Sequence, residues 1–214
     1  MKNVREVGQL ETQPMYQKVQ KVLARNRIRL SLLIFAIFLT KNIIDQVRPH
    51  DIFELKDIWG PAGMFLVLAG IGLRSWAAGI IHKSESLASV GPYSLTRHPL
   101  YIGSLFMAIG FCTIIGEINN FLVIFAVAVI FYIPKIHREE TRLSETFGEA
   151  WTQYTHRTSI FYPKTMPDIH AHWSFSQWLG HREYYALCTC LIVLALLKLL
   201  HEFPISEIIT AIRR

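Results

Sequence analysis

Long apolar runs are the feature that most constrains what this chain can fold into. Five of them can be read, at about residues 28–44, 58–81, 99–115, 120–136 and 184–200. About 20 apolar residues are needed to cross roughly 30 Å of hydrocarbon, and in lipid each segment must satisfy its own backbone polar groups. Because the runs lack the period-two alternation of strands, they predict an all-α integral membrane protein with about five transmembrane helices.

Composition agrees with a chain that spends much of its length in lipid, since 51% of its residues are hydrophobic and only 18% are charged. The net charge is +6, but the basic residues lie mostly between the apolar runs, where they set topology and meet anionic headgroups. We therefore expect membrane lipids as partners and no nucleic acid. The three cysteines lie inside apolar runs and none pairs with His at zinc spacing, so no metal site is expected.

Charge also orients the helices and divides the chain. Residues 1–27 form a basic segment without the apolar core of a signal peptide, and the positive-inside rule places it in the cytoplasm. Residues 28–163 are the predicted transmembrane core, whose loops at 82–98 and 136–183 then also face the cytoplasm. Residues 164–214 combine an interfacial segment rich in His and Trp with the last helix. The expected location is an inner, plasma or endoplasmic-reticulum-type membrane, crossed several times.

The second apolar run carries small residues and one charge. The small residues allow close approach of another helix, and they are Gly60, Gly63, Gly70, Gly72, Ala77, Ala78 and Gly79. Arg74 lies within the same run, where a charge is costly unless it is paired or faces a polar cavity. Two interpretations stay open: Arg74 snorkels toward an interface, or it lines a cavity as a substrate-binding residue.

The loop before the third run is the first of two segments with chemical potential. Gly91-Pro92 predicts a tight turn, and Pro99 suits the first turn of the next helix, which leaves His98 at the helix N-terminus. Free N–H groups at such a terminus favour an anionic ligand. Arg97 adds a cation, and Tyr101 adds a hydroxyl and an aromatic face one turn further on.

The second segment follows the fourth run. Residues 138–158 place apolar side chains at helical spacing with charges between them, which predicts an amphipathic cytoplasmic helix that continues the fourth span and breaks at Phe147-Gly148. Glu139 and Glu140 can meet an ammonium or a sulfonium. A ligand with carboxylate, ammonium, sulfonium and adenine groups would suit both segments, although charge alone equally allows a solvated basic loop.

Taken in order, Gly91-Pro92-Tyr93, Arg97-His98-Pro99-Leu100-Tyr101, Glu139-Glu140 and Phe147-Gly148 resemble the isoprenylcysteine carboxyl methyltransferase and phospholipid methyltransferase superfamily. The resemblance covers about residues 60–163. It implies that S-adenosylmethionine is the cofactor, in a cytoplasmic site formed by the loop before span three and the helix that extends from span four. The cofactor-binding residues it implies are Ser86, Leu87, Ala88, Tyr93, Arg97, His98, Pro99, Leu100, Tyr101 and Glu139.

Methyl transfer from a sulfonium is an in-line displacement, so catalysis needs positioning and water exclusion more than acid–base groups. We expect Lys135, Arg138 or Arg74 to hold an anionic group of the substrate and Glu140 to orient the nucleophile, which makes Lys135, Arg138 and Glu140 the candidate catalytic residues. Two positions depart from the family pattern. Glu85 stands where the family often has His, and Lys135 stands where the carboxyl methyltransferases have a substrate-facing Arg, so the resemblance does not carry the prenylcysteine acceptor over to this chain.

The sequence therefore favours methylation of a membrane-dissolved acceptor, either a lipid or a lipidated carboxylate that arrives from the bilayer. N-methylation of phospholipids and S-methylation of a small thiol are alternatives within the superfamily. A further alternative is an NADPH-dependent sterol-type reductase, because those enzymes carry a similar Arg-His-Pro-x-Tyr-x-Gly segment. A scaffold or transporter is the non-enzymatic alternative, but no inverted repeat supports it.

Overall fold

A computed structural model describes residues 37, 40–42, 44–81 and 87–203. The predicted first span, residues 28–44, lies mostly outside this part of the chain. The chain divides into two compact units, residues 1–45 and 46–214. In the first unit Lys41 and Asp45 form an ion pair of 2.6 Å, and the following paragraphs concern the second unit.

Every regular element in the described part of the second unit is a helix. These are α1 (Trp59–Ala78), α2 (Pro92–Leu95), α3 (Pro99–Ile115), α4 (Ile118–Arg157), α5 (Phe175–Gly180) and α6 (Glu183–Glu202). Among the described residues α1, α4 and α6 are long and apolar enough to cross a membrane. The shorter α3 has 17 residues, which is about 25 Å of helix. The described part of the chain is thus all-helical and typical of a multi-pass membrane protein, while the number of five spans stays a prediction.

Two reciprocal glycine contacts hold α1 against α3. A Cβ atom on Gly70 would lie 2.5 Å from the carbonyl oxygen of Gly103, and one on Gly110 would lie 2.6 Å from that of Gly63. Because the pairs run in opposite chain directions, the two helices are antiparallel. The structure confirms the predicted small-residue contact face at these positions. By contrast, a Cβ atom on Gly72 would meet nothing within 4 Å.

The apolar core lies where α6 packs on α1 and α3. Its buried members are Ile52, Val67, Ile71, Ile114, Cys190, Leu194 and Leu197. Large side chains on the outer faces of the spanning helices are exposed, among them Phe65, Leu122 and Phe125. In a membrane protein these exposed apolar faces contact lipid, which costs nothing because lipid is as apolar as the side chains.

An ionic cluster closes the end of the bundle that lies far from α2. Lys198 pairs with Asp51 at 2.8 Å and with Glu202 at 2.6 Å. The hydrogen bond from Lys198 holds the pKa of Asp51 below its ordinary value, and a backbone N–H of Phe53 acts in the same direction. The cluster therefore fastens the loop before α1 to the last turns of α6.

The opposite end carries the loop between α1 and α3 and the extension of α4. Gly91 adopts φ +62° and begins the turn into α2, and His98 precedes Pro99 at the first position of α3. Helix α4 continues without interruption past the apolar span and changes direction at Gly148, where φ is +49°. The predicted turn, helix start, amphipathic extension and break are all confirmed. A residue with a Cβ atom would be strained at both glycines.

Candidate cofactor and active site

The two chemically promising segments meet beside the N-terminus of α3. The hydroxyl of Tyr101 donates a hydrogen bond of 2.7 Å to Oε2 of Glu139. Nε2 of His98 lies 3.1 Å from Oε1 of Glu140, and Nη2 of Arg97 lies 3.2 Å from the same oxygen. The adjacent glutamates of α4 thus contact different residues of the loop motif. Some 40 residues separate the loop from the glutamates in sequence.

Aromatic rings form a wall beside these carboxylates. The ring of Tyr101 lies 5.3 Å from that of Tyr132 and 5.6 Å from the imidazole of His98, measured between centroids. Nζ of Lys135 lies 4.5 Å from the centre of the Tyr101 ring, within the range of a cation–π contact. One face of α4 therefore presents Tyr132, Lys135 and Glu139 to the N-terminus of α3.

The segment after α4 holds the loop in place. The Tyr154 hydroxyl donates to the carbonyl of Tyr93 at 2.7 Å, and the backbone N–H of Arg97 donates to the carbonyl of Ser159 at 3.0 Å. The Thr96 hydroxyl donates to the carbonyl of Ile160. These bonds satisfy buried backbone groups that no regular element pairs, so they fix the loop that carries His98.

Two buried polar atoms of the loop have no hydrogen-bond partner among the described residues. They are the hydroxyl of Tyr93 and Nε of Arg97. Burial raises the pKa of Tyr93, and the nearby negative charge of Glu139 adds to this, so its hydroxyl stays protonated and can donate. A buried polar group without a hydrogen-bond partner destabilises a folded protein. A bound ligand could satisfy both donors with its acceptor groups and could place a cationic group beside the carboxylates of Glu139 and Glu140.

His98 is 4% exposed and directly precedes the first residue of α3. Burial lowers the pKa of this imidazole below its ordinary value of 6.5, although the hydrogen bond with Glu140 acts in the opposite direction. At neutral pH the ring is therefore uncharged. A neutral ring with hydrogen on Nε2 donates to Glu140 and leaves Nδ1 as an acceptor.

This shift predicts how stability depends on pH. A histidine with a lowered folded-state pKa favours the folded protein fully above pH 6.5, and that contribution is lost as the pH falls through the lowered value. We expect the melting temperature in detergent to decrease between pH 7 and pH 5, and the decrease to be smaller in His98→Gln, which cannot titrate. An identical decrease in both proteins would assign the effect to other groups.

The guanidinium of Arg74 forms its hydrogen bonds within the protein, whereas a substrate-binding residue would need a free donor. Its guanidinium forms a bidentate pair with Glu183 at 2.7 and 2.9 Å, and Nε donates to the same carboxylate at 3.1 Å. Nη1 donates to the Ser104 hydroxyl at 2.6 Å and to the carbonyl of Leu100 at 3.2 Å. Every nitrogen of Arg74 is engaged within the protein, so we interpret it as a structural tie between α1, α3 and α6.

Sequence reasoning missed Glu183, which lies at the start of α6 and is buried. A charge in a membrane span needs a counter-ion, and Glu183 is an acidic residue at the start of another apolar run on the same predicted side. Both charges were therefore visible in the sequence, but the ion pair between Arg74 and Glu183 was not predicted.

The remaining predicted residues differ in where the structure places them. Arg138 lies on the exposed side of α4 and donates to the carbonyl of Pro134 at 3.1 Å, so the structure does not bring it to the other site residues. Pro99 is fully buried, and Leu87 and Ala88 are partly buried in the irregular segment before Gly91. Ser86 lies outside the described residues. Their roles in cofactor binding stay predictions.

Comparison with known proteins shows a family resemblance over part of the chain. Residues 62–150, which include the loop motif and both glutamates, match the family model for phospholipid methyltransferase. Over these residues, which make up less than half of the chain, the sequence is similar to that family. The resemblance expected from the sequence is thus confirmed, and the family segment contains α2, α3 and the glycine crossing of α1 on α3.

The chain is also similar in sequence to three curated proteins. A nickel-cobalt-cadmium resistance protein of Alcaligenes xylosoxydans xylosoxydans is 29% identical over 66% of this chain and 67% of its own. The protein-S-isoprenylcysteine O-methyltransferase of Schizosaccharomyces pombe is 30% identical over 42% of this chain and 38% of its own. The 7-dehydrocholesterol reductase of Danio rerio is 30% identical over 59% of this chain and 26% of its own.

The chain therefore spans well under half of the length of the two enzymes it resembles. No solved structure matches it. The family segment and the yeast relative together support a membrane methyltransferase.

Proposed function

We propose that this protein transfers a methyl group from S-adenosylmethionine to an acceptor dissolved in the membrane. The observation that carries the proposal is the meeting of the loop motif with the paired glutamates. Tyr101 contacts Glu139, and His98 and Arg97 contact Glu140, inside the segment that matches the phospholipid methyltransferase family. The proposed site faces the cytoplasm, as the distribution of basic residues indicates.

The residues of the site suit the groups of this cofactor. Glu139 offers a carboxylate to its ammonium, while the N-terminus of α3 and the unpartnered Nε of Arg97 offer donors to its carboxylate. The rings of Tyr101 and Tyr132 give an apolar and aromatic surface beside them. When bound, S-adenosylmethionine supplies an electrophilic methyl group on a sulfonium.

The protein's own contribution is to position the acceptor, to bind its anionic group and to receive a proton from it where it carries one. Nζ of Lys135 lies 4.5 Å from the centre of the Tyr101 ring, where it can hold an anionic acceptor group, whereas Arg138 lies on the exposed side of α4. If the acceptor carries a proton, as an amine or a thiol does, the pair of His98 and Glu140 can receive that proton. A carboxylate acceptor needs no such step.

The acceptor reaches the site from the bilayer. A membrane location is otherwise unexplained for a reaction whose cofactor is water-soluble, and the exposed apolar faces of α1 and α4 contact lipid beside the site. The yeast relative's name favours a lipidated carboxylate as acceptor, and the family's name favours a phospholipid amine. The presence of Lys135 in place of the expected Arg does not favour either the lipidated carboxylate or the phospholipid amine as the acceptor.

A second candidate function is reduction of a sterol-like double bond with NADPH. It is favoured by the similarity to the zebrafish 7-dehydrocholesterol reductase, which extends over 59% of this chain. The Arg97-to-Gly103 segment resembles the equivalent part of both enzyme classes, so it does not discriminate between them. The paired Glu139-Glu140 favours the methyltransferase.

Calorimetric titration of the purified protein separates the two candidates. We expect S-adenosylhomocysteine to bind and NADPH not to bind. Binding of NADPH alone would overturn the methyltransferase proposal, and binding of neither would favour a non-enzymatic protein.

Substitutions of site residues test where the cofactor binds. His98→Ala and Glu139→Ala should each weaken S-adenosylhomocysteine binding by about tenfold to a hundredfold, because hydrogen bonds to charged groups contribute about 1.5–3 kcal/mol. Glu145→Ala is the matched control, since Glu145 is an exposed glutamate on the same helix, and should bind as the wild type does. Unchanged affinity in both site variants, with unchanged melting temperatures, would show that the cofactor site lies elsewhere.

A further inference from the structure

A segment that we name the strap, residues 164–182, connects the end of the α4 extension to α6. Its backbone is tied to the ends of two other elements. The N–H of Gly91 donates to the carbonyl of Asp168 at 2.7 Å, and the N–H of Ser174 donates to the carbonyl of Gly79 at 2.8 Å. The strap therefore contacts the residue that follows α1 and the residue that precedes α2, which are the two ends of the segment leading to the proposed cofactor site.

The contact between the strap and α1 is tight. The indole N–H of Trp173 donates to the carbonyl of Ser75 at 3.0 Å, and a Cβ atom on Gly79 would lie 2.0 Å from the same indole nitrogen. At Gly91 a Cβ atom would lie 3.1 Å from Cβ of Ala171. One side of the strap thus fits closely against protein.

The other side of the strap is apolar, aromatic and exposed. Met166 is 96% exposed and Phe175 is 58% exposed. The further exposed apolar residues are Ile169 and Leu179, and Trp173 stays 42% exposed although its indole nitrogen packs on α1. Ring contacts connect Trp173 to Phe175, then Phe175 to Trp178, with centroid distances of 6.2 and 5.6 Å. Trp178 continues the series to Tyr184 on α6 at 6.4 Å.

The position and charge of the strap indicate that lipid covers this surface. Helix α6, which is apolar enough to span the membrane, begins at Glu183, directly after the strap, so the end of the strap lies at the membrane boundary. Trp and Tyr are enriched at that depth. The strap's charged and titratable residues are Lys164, Asp168, His170, His172, His181 and Arg182. With a single acid among them, the strap attracts anionic headgroups.

We propose that the strap docks on the anionic headgroup layer with its aromatic side, and that this docking holds the Gly91 turn in the conformation that binds the cofactor. The docking stands independently of the enzymatic activity. The effect on the cofactor loop rests on the proposed function, since it concerns S-adenosylmethionine binding.

Quenching of tryptophan fluorescence by brominated lipids tests the docking. The protein is placed in nanodiscs with bromine on the upper part of the acyl chains, and the wild type is compared with Trp173→Phe/Trp178→Phe. We expect the double variant to lose quenchable fluorescence. Trp151→Phe is the control, because Trp151 is buried in the α4 extension and should lose only fluorescence that the lipid does not quench.

Two results would overturn the docking. In the first, the strap tryptophans are quenched by aqueous acrylamide and not by the brominated lipid. In the second, they are shielded from acrylamide only in discs that hold two copies of the chain, which would make the strap an interface between copies.

Binding of S-adenosylhomocysteine in nanodiscs tests the effect on the cofactor loop. Gly79→Ala forces Trp173 away without straining the backbone, since φ of Gly79 is −76°. We expect it to weaken binding about tenfold, which corresponds to about 1.4 kcal/mol, whereas Gly72→Ala, which meets no neighbour, should have no effect. Equal affinities in these variants would overturn the coupling. Absence of binding by the wild type would instead refute the proposed function, and the quenching result would still decide the docking.

Discussion

Replacement of Glu183 with alanine should destabilise the folded protein by about 3–5 kcal/mol, the typical cost of leaving a buried charge without its partner. Glu183 is the only carboxylate that contacts Arg74 within the described residues, and the pair is bidentate with the Glu183 side chain only 9% exposed. Ser104 and the carbonyl of Leu100 would remain as the partners of Arg74. The measurement is the melting temperature of the detergent-solubilised protein.

A double variant tests the reason for this loss. Arg74→Met/Glu183→Leu removes both charges and keeps similar apolar volume, so it should recover most of the stability lost in Glu183→Ala. The carbonyl of Leu100 keeps its hydrogen bond from the Ser104 hydroxyl. If the double variant is less stable than Glu183→Ala, the pair stabilises the bundle through more than charge neutralisation.

The second large effect is expected at the crossing of α1 and α3. Gly70→Ala places a methyl group 2.5 Å from the carbonyl oxygen of Gly103, and the obstacle is backbone that cannot rotate away. The helices must separate, which we expect to cost about 1–3 kcal/mol or more and to reduce the yield of folded protein. The melting temperature and the monodisperse fraction in size-exclusion chromatography measure both effects.

Gly72→Ala is the matched control for this prediction, since it lies on the same helix with free space around it. Alanine has the higher helix propensity by about 1 kcal/mol, so this variant should be as stable as the wild type or more stable. Equal stability of Gly70→Ala and Gly72→Ala would contradict the close helix crossing.

Helix bounds were predictable where the sequence has a proline or a glycine at the end of an apolar run. Pro99 and Gly116 mark the beginning and end of α3, and the structure places both at those points. The break in α4 was predictable from Gly148, because only glycine adopts its positive φ without strain. The first span cannot be compared, as it lies mostly outside the described residues.

The site was predictable only in part. Tyr132, Lys135 and Glu139 follow one another at spacings of three and four residues, so a helix brings them to one face. Spacing did not predict that Arg138 is exposed and bonds to the Pro134 carbonyl instead. Sequence spacing alone did not identify Glu183 as the partner of Arg74, because 109 residues separate the two. The interfacial character of the strap was expected from its His and Trp content, but its contacts with Gly79 and Gly91 were not, since backbone hydrogen bonds leave no pattern in the side chains.

The central claim is that this chain methylates a molecule dissolved in the membrane. Its most direct test is incubation of the reconstituted protein with S-adenosylmethionine carrying a radiolabelled methyl group, together with a total extract of membrane lipids and proteins. We predict that label enters the lipid or the lipidated-protein fraction with the wild type and with Glu145→Ala, and that Glu139→Ala greatly reduces it. Absence of label from both fractions with the wild type would contradict the account.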